Sequence, residues 1–116
     1  MLSCHLMGGL GNQLFQVATT IATAIDNNKK PIFPTHTDQL PTRKTSYNDS
    51  FFHQVQRQPH IKGFHTYKEP KFSYTAIQLP KYDNVLLDGY FQSEKYFQKY
   101  KNIILNKLKL SPKYIK

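Results

Sequence analysis

Few local patterns restrict a fold as tightly as a glycine-rich turn set between a short apolar run and a long periodic segment, and residues 2–26 have that form. Leu2 to Met7 predicts a strand, and Gly8-Gly9-Leu10-Gly11 predicts the turn after it. From Asn12 onward Leu14, Val17, Ala18, Ile21, Ala22 and Ile25 recur at spacings of three and four, the apolar stripe of a helix lying on a sheet. Asn12 is the expected N-cap, and Asp26-Asn27-Asn28 the expected stop. Lys30 to Phe33, flanked by Pro31 and Pro34, then predicts a second strand. Strand, helix and strand in so short a stretch require a crossover between parallel strands, a βαβ unit with right-handed connection.

The rest of the chain is less regular. Residues 36–84 contain Pro41, Pro59, Pro70 and Pro80 among many polar residues, and are expected to be irregular apart from a helical turn near Ser50 to Val55 and a strand near Ile61 to His65. Val85 to Phe91 is nearly continuous in apolar residues, as a central parallel strand is. Ser93 then caps a helix expected from Glu94 to Leu110, with Phe97, Tyr100, Ile104 and Leu108 as its buried stripe and Pro112 as its stop. Length sets the scale: 116 residues make one α/β domain or part of a larger one, so the expectation is a Rossmann-like parallel-sheet half-domain.

Charge is unevenly placed. Lys29 and Lys30 cancel Asp26 and Asp38 in residues 1–41, so the formal net charge of +9 lies beyond Pro41, with seven lysines and no acidic residue from Lys95 onward. Such a balance suits a polyanion or anionic surface, or a solvated lysine-rich helix face. Lys95, Lys99, Lys101, Lys107 and Lys109 lack aromatic interleaving, which favours the solvated face over nucleic acid. Cys4 is the single cysteine and is read as a small buried hydrophobe. No apolar run is long enough for a membrane span, so the expected location is cytoplasmic, with peripheral membrane attachment through the basic helix as the alternative.

The turn itself carries chemistry. Backbone N–H groups and a helix N-terminus converge there, the usual place for phosphate in α/β folds. The run is neither of the common phosphate loops: Gly9 and Gly11 give G-x-G but Leu14 stands where the dinucleotide fingerprint needs glycine, and no Gly-Lys-Ser/Thr ending is present. His5, His36, His53, His60 and His65 show no paired ligand spacing, so no metal site is expected.

The longer string is far more specific. Met7-Gly8-Gly9-Leu10-Gly11-Asn12-Gln13-Leu14-Phe15-Gln16 resembles the amino-terminal signature of the α-1,2-fucosyltransferases of glycosyltransferase family 11. Leu87-Asp88-Gly89-Tyr90-Phe91-Gln92-Ser93-Glu94-Lys95-Tyr96-Phe97 is similar to a later block of that family, and Tyr67-Lys68-Glu69-Pro70-Lys71-Phe72-Ser73-Tyr74 to its weaker central one. The three blocks stand in the family's order.

This resemblance implies a half of a GT-B-type enzyme that transfers fucose from GDP-fucose to the 2-hydroxyl of a galactoside, without a metal or other cofactor. The donor-binding H-x-R-x-G-D segment of the family is not among the 116 residues, whose two arginines are Arg43 and Arg57. The expectation is therefore an amino-terminal portion, truncated and inactive alone, with a second polypeptide as one source of the missing half. A catalytically silent fragment and a basic binding module are the alternatives.

Candidate substrate-binding residues are Gly9, Gly11, Asn12 and Gln13 in the first block and Tyr90, Gln92 and Glu94 in the last. Asn12 and Gln13 carry carboxamides suited to sugar hydroxyls, while Gly9 and Gly11 admit a ligand to the backbone. No catalytic residue is assigned. Glu69, Asp88 and Glu94 are the carboxylates from which a general base would come, and spacing does not choose among them.

Overall fold

The computed structural model describes residues 1–34, 57–58, 63–71 and 73–108. In chain order the elements are β1 (Leu2–Cys4), α1 (Leu10–Asp26), β2 (Phe33–Pro34), β3 (Arg57–Gln58), β4 (His65–Lys68), β5 (Val85–Asp88) and α2 (Lys101–Lys107), with two 3-10 turns, Glu94–Tyr96 and Gln98–Tyr100, ahead of α2. The sheet order is β1-β5-β4, with both pairings parallel. Leu2 lies opposite Val85 and Cys4 opposite Leu87, while Lys68 lies opposite Asp88. On its other side β1 meets Pro31 in a parallel bridge, closed by Leu2 N–H to Lys30 O and Ile32 N–H to Leu2 O, each 2.9 Å. The chain is thus mixed α/β with a small parallel sheet, and the strand expected at 85–91 is the central one.

Helix α1 explains why that sheet forms. Val17, Ala18, Ile21 and Ala22 cover Leu2, Cys4, Val85 and Leu87, all at most 3% exposed. The helix is enclosed on more than its apolar stripe, because every residue from Gln16 to Ala24 is buried. A second layer accounts for this: the 3-10 turns and α2 pack on α1, with Phe15 edge-on to Phe97 at 5.8 Å. Ile25, expected on the stripe, is 41% exposed. It belongs to the last turn, beyond which a Schellman closure stops the helix: Asn28 takes φ +52°, Lys29 N–H reaches Ala24 O and Asn28 N–H reaches Ile25 O.

Five elements differ from expectation. The first strand ends at Cys4, and β2 is displaced to Phe33–Pro34, where it pairs in parallel with β3 inside the stretch read as irregular. In residues 61–68 the strand is His65–Lys68, and the turn expected at 50–55 lies outside the described residues. Strand β5 stops at Asp88, because Phe91 takes φ +49° and the chain turns out of the sheet. Ser93 does cap the next segment, its Oγ accepting Lys95 N–H at 3.3 Å, but the long helix is broken. Phe97 leaves helical geometry at φ −135°, ψ 7°, since Tyr96, Phe97 and Tyr100 each turn to a different partner: Phe91, Phe15 and Asp26. Ile104 and Leu108 are buried as expected, whereas Phe97 and Tyr100 are half-buried against the core.

Cys4 is fully enclosed, and burial pushes its thiol up to about 12, a shift that Thr20 only partly offsets. Because the folded value exceeds the ordinary one, the stabilisation it reflects is complete below pH ~9 and declines by about 1.4 kcal/mol per pH unit toward pH 12. Denaturant titrations at pH 9 and 11 should show the parent chain losing ~2 kcal/mol more than Cys4→Ala over that interval. Equal losses would show that the thiol does not contribute.

Candidate functional site

The three sequence blocks meet at one edge of the sheet. The first comes directly after β1, the central one begins in β4, and the last begins in β5, so parallel pairing brings all three to the carboxyl ends of the strands. His5 N–H donates to Leu87 O at 2.9 Å and Glu69 N–H to Asp88 O at 2.9 Å, which extends the pairing beyond the strands proper. Strand β1 lies between the Pro31 bridge and β5, so the chain leaves it toward one side while later strands dock on the other. Crevices at such points are where open α/β sheets bind ligands.

Two glutamines brace the glycine turn from beneath. Gln16 is fully buried, and its carboxamide pairs with both backbone groups of Met7, accepting from N at 3.0 Å and donating to O at 3.2 Å. Gln13 is also fully buried and donates to Gly8 O at 2.9 Å. Its Oε1 has no hydrogen-bond partner among the described residues. Gln13, expected among the substrate-binding residues, thus supports the turn from inside and does not present its amide to solvent.

Asn12 is not the N-cap. The helix starts two residues earlier, with Gly9 in extended geometry at the cap, no capping side chain, and Gln13 N–H to Gly9 O as its first hydrogen bond. Asn12 folds back over Gly8, whose φ of +80° only glycine adopts easily and whose added Cβ would lie 2.4 Å from Asn12 Nδ2. Gly11 is different. It is exposed in the first helical turn, and a Cβ there would meet nothing within 4 Å. Packing gives no reason for glycine at that position.

Glu69 ties the central block to the last one. Its Oε1 accepts Tyr90 N–H and Phe91 N–H, both at 3.2 Å, and its Oε2 accepts the Tyr96 hydroxyl at 3.4 Å. Gly89 is required beside it, because an added Cβ would stand 2.5 Å from Glu69 Cβ. Burial raises the Tyr96 phenol above its ordinary value; the Thr75 backbone opposes this and Glu69 adds to it. Glu69 is thereby committed to shaping the exit from β5. Glu94 is committed as well, its carboxylate 2.6 Å from Lys101 Nζ on the surface.

The remaining expected residues separate by position. Tyr90 is 39% exposed at the end of β5, and Gln92 is half-buried with Nε2 directed to Tyr90 O at 3.4 Å. Asp88 stands half-buried at the last position of β5. Gly9, Gly11, Asn12, Tyr90 and Gln92 thus come after β1 and β5 at the same sheet edge. Glu94 opens the first 3-10 turn instead. The bracing by Gln16 and Glu69 went unanticipated, and only their chemistry as buried carboxamide and loop carboxylate hinted at it.

No group of three or more candidate metal ligands exists among the described residues, and no described helix is long and apolar enough to cross a membrane. Among the described residues the lysines do not share one helical face: Lys99 pairs with Asp26 at 3.4 Å, Lys101 pairs with Glu94, and two 3-10 turns precede the helix that begins at Lys101. No family model, curated protein or solved structure matches the chain.

Proposed function

We propose that these residues form the acceptor-side unit of an α-1,2-fucosyltransferase of GT-B type, binding a galactoside at the crevice between the glycine turn and the exit from β5. The observation that carries this reading is Gly11: an exposed glycine in a first helical turn, unneeded for packing, at the sheet edge where the three resembling blocks converge. Glycine there costs ~0.5–1 kcal/mol relative to alanine, so its presence is better explained by a ligand that approaches the backbone. Asn12 and Tyr90 would supply polar contacts at the rim, with Gly9 leaving the turn open. In this reading the pyrophosphate of GDP-fucose is held by an arginine-bearing H-x-R-x-G-D segment outside these 116 residues, in another polypeptide or a continuation of this one. The galactoside 2-hydroxyl would then attack the fucose anomeric carbon with inversion as GDP leaves. A carboxylate would take the hydroxyl proton, and Asp88 is less committed than Glu69 or Glu94.

Gly11→Ala separates folding from binding. It should stabilise the chain by ~0.5–1 kcal/mol while weakening binding of a β-galactoside at least fivefold. Asn12→Ala should weaken binding without lowering Tm by more than a few degrees. The chain with GDP-fucose and galactoside should give no fucosyl product alone, and should give it once an H-x-R-x-G-D-bearing half is added. Absence of galactoside binding, or binding untouched by both substitutions, defeats the proposal. Salt-sensitive binding to generic DNA in its place would favour the basic-module reading.

A further inference from the structure

A second concavity lies away from the sheet edge, where the last turn of α1 faces residues 74–77 and the two 3-10 turns. It has a volume of about 390 Å³, within the range of small-ligand sites. The rings of Tyr74 and Tyr96 meet at its wall with centroids 4.8 Å apart and planes inclined by 57°, forming an aromatic corner. Tyr96 is locked there, edge-on to Phe91 at 5.3 Å, with its hydroxyl accepting Thr75 N–H at 3.1 Å. Tyr74, by contrast, is 42% exposed. Opposite stand Asp26, which accepts from the Tyr100 hydroxyl and Lys99 Nζ, and Asn27, whose amide donates to Thr23 O at 2.8 Å.

Aromatic faces beside fixed carboxylate, amide and hydroxyl groups match a pyranose, which offers both a C–H face and a ring of hydroxyls. The charge count refines the class. Lys99 is matched by Asp26, but Lys95 lies 6.0 Å from the Tyr74 ring centroid with no carboxylate partner among the described residues. A compact dianion such as phosphate suits the cleft poorly, because the carbonyl end of α1 and the Asp26 carboxylate both face it. A single carboxylate carried on a sugar can reach Lys95 while its ring rests on Tyr74.

We propose that this cleft is a binding site for an acidic saccharide, stacked on Tyr74 and Tyr96 with its carboxylate at Lys95. This site is separate from the glycine-turn crevice and does not depend on the transferase reading. The test titrates the full chain by calorimetry with digalacturonate, a neutral glucose disaccharide and sodium sulfate. Digalacturonate should bind saturably and at least fivefold more tightly than the neutral sugar. Tyr74→Ala and Lys95→Gln should each weaken it at least tenfold with Tm nearly unchanged, and Asn12→Ala should leave it unaltered. The proposal is overturned by absence of saturable binding, by equal affinity for the neutral disaccharide or for sulfate, or by indifference to Tyr74→Ala.

Discussion

Glu69→Ala should lower the unfolding free energy by ~2–3 kcal/mol and Tm by roughly 10 °C or more, despite removing a half-exposed carboxylate from a loop. Three donors lose their acceptor together: the N–H groups of Tyr90 and Phe91 and the hydroxyl of Tyr96. Long contacts of 3.2–3.4 Å at a half-exposed site contribute less than compact charge-assisted bonds, ~0.5–1 kcal/mol each, and three of them lost together give that total. Glu69→Gln keeps an acceptor for the backbone pair and should cost about half as much.

Gly89→Ala probes the same joint from the other side. Its new methyl would sit 2.5 Å from Glu69 Cβ, a separation real side chains do not tolerate, so the exit from β5 must shift at a cost of ~3 kcal/mol. Removing the opposing Cβ should remove most of that cost. In a Glu69→Gly background, Gly89→Ala should cost under ~1 kcal/mol, leaving a coupling energy of ~2 kcal/mol in the double-mutant cycle. Additive effects, measured by denaturant unfolding of all four chains, would mean that the two residues do not meet.

How much of the fold and the site is legible in the residues alone depends on how far each constraint reaches along the chain. The periodicity of Leu14 to Ala22 and the apolar run Val85 to Leu87 are local signals, and they place α1 on a parallel sheet with β5 at its centre. Asn12 misleads for an equally local reason. A good capping residue loses that role when Gly9 can take extended geometry and start the helix earlier. The break after Tyr96 is invisible because a stripe at 97, 100, 104 and 108 is equally compatible with one helix or with short turns pulled toward separate partners. Glu69 is hidden by distance: its partners lie 21 to 27 residues away, and no period links a loop carboxylate to a strand end. Convergence of the three blocks needs parallel pairing alone, since parallel strands bring their carboxyl-end loops to one side.

Gln16→Leu should be the most damaging change near the glycine turn, costing ~3 kcal/mol although leucine is similar in size and more apolar. The reason is an asymmetry in the groups left behind. Gln16 satisfies both the N–H and the C=O of Met7 from a fully buried position, and leucine leaves both groups of the half-buried Met7 without a protein partner. Each unpaired group costs ~1–3 kcal/mol, more than the gain from the extra apolar surface. Gln13→Met makes the contrast, since it removes one hydrogen bond but also a buried carbonyl oxygen that has no partner among the described residues. Its cost should stay under ~1.5 kcal/mol. Amide exchange over residues 7–11 should rise sharply in Gln16→Leu and little in Gln13→Met, because Met7 is the hinge from which Gly8 to Gly11 hang. If the acceptor site is built on that turn, galactoside binding should track exchange in both variants, failing in the first and surviving in the second. Similar stability and exchange in the two variants would show that the turn is held by something other than the Gln16 carboxamide.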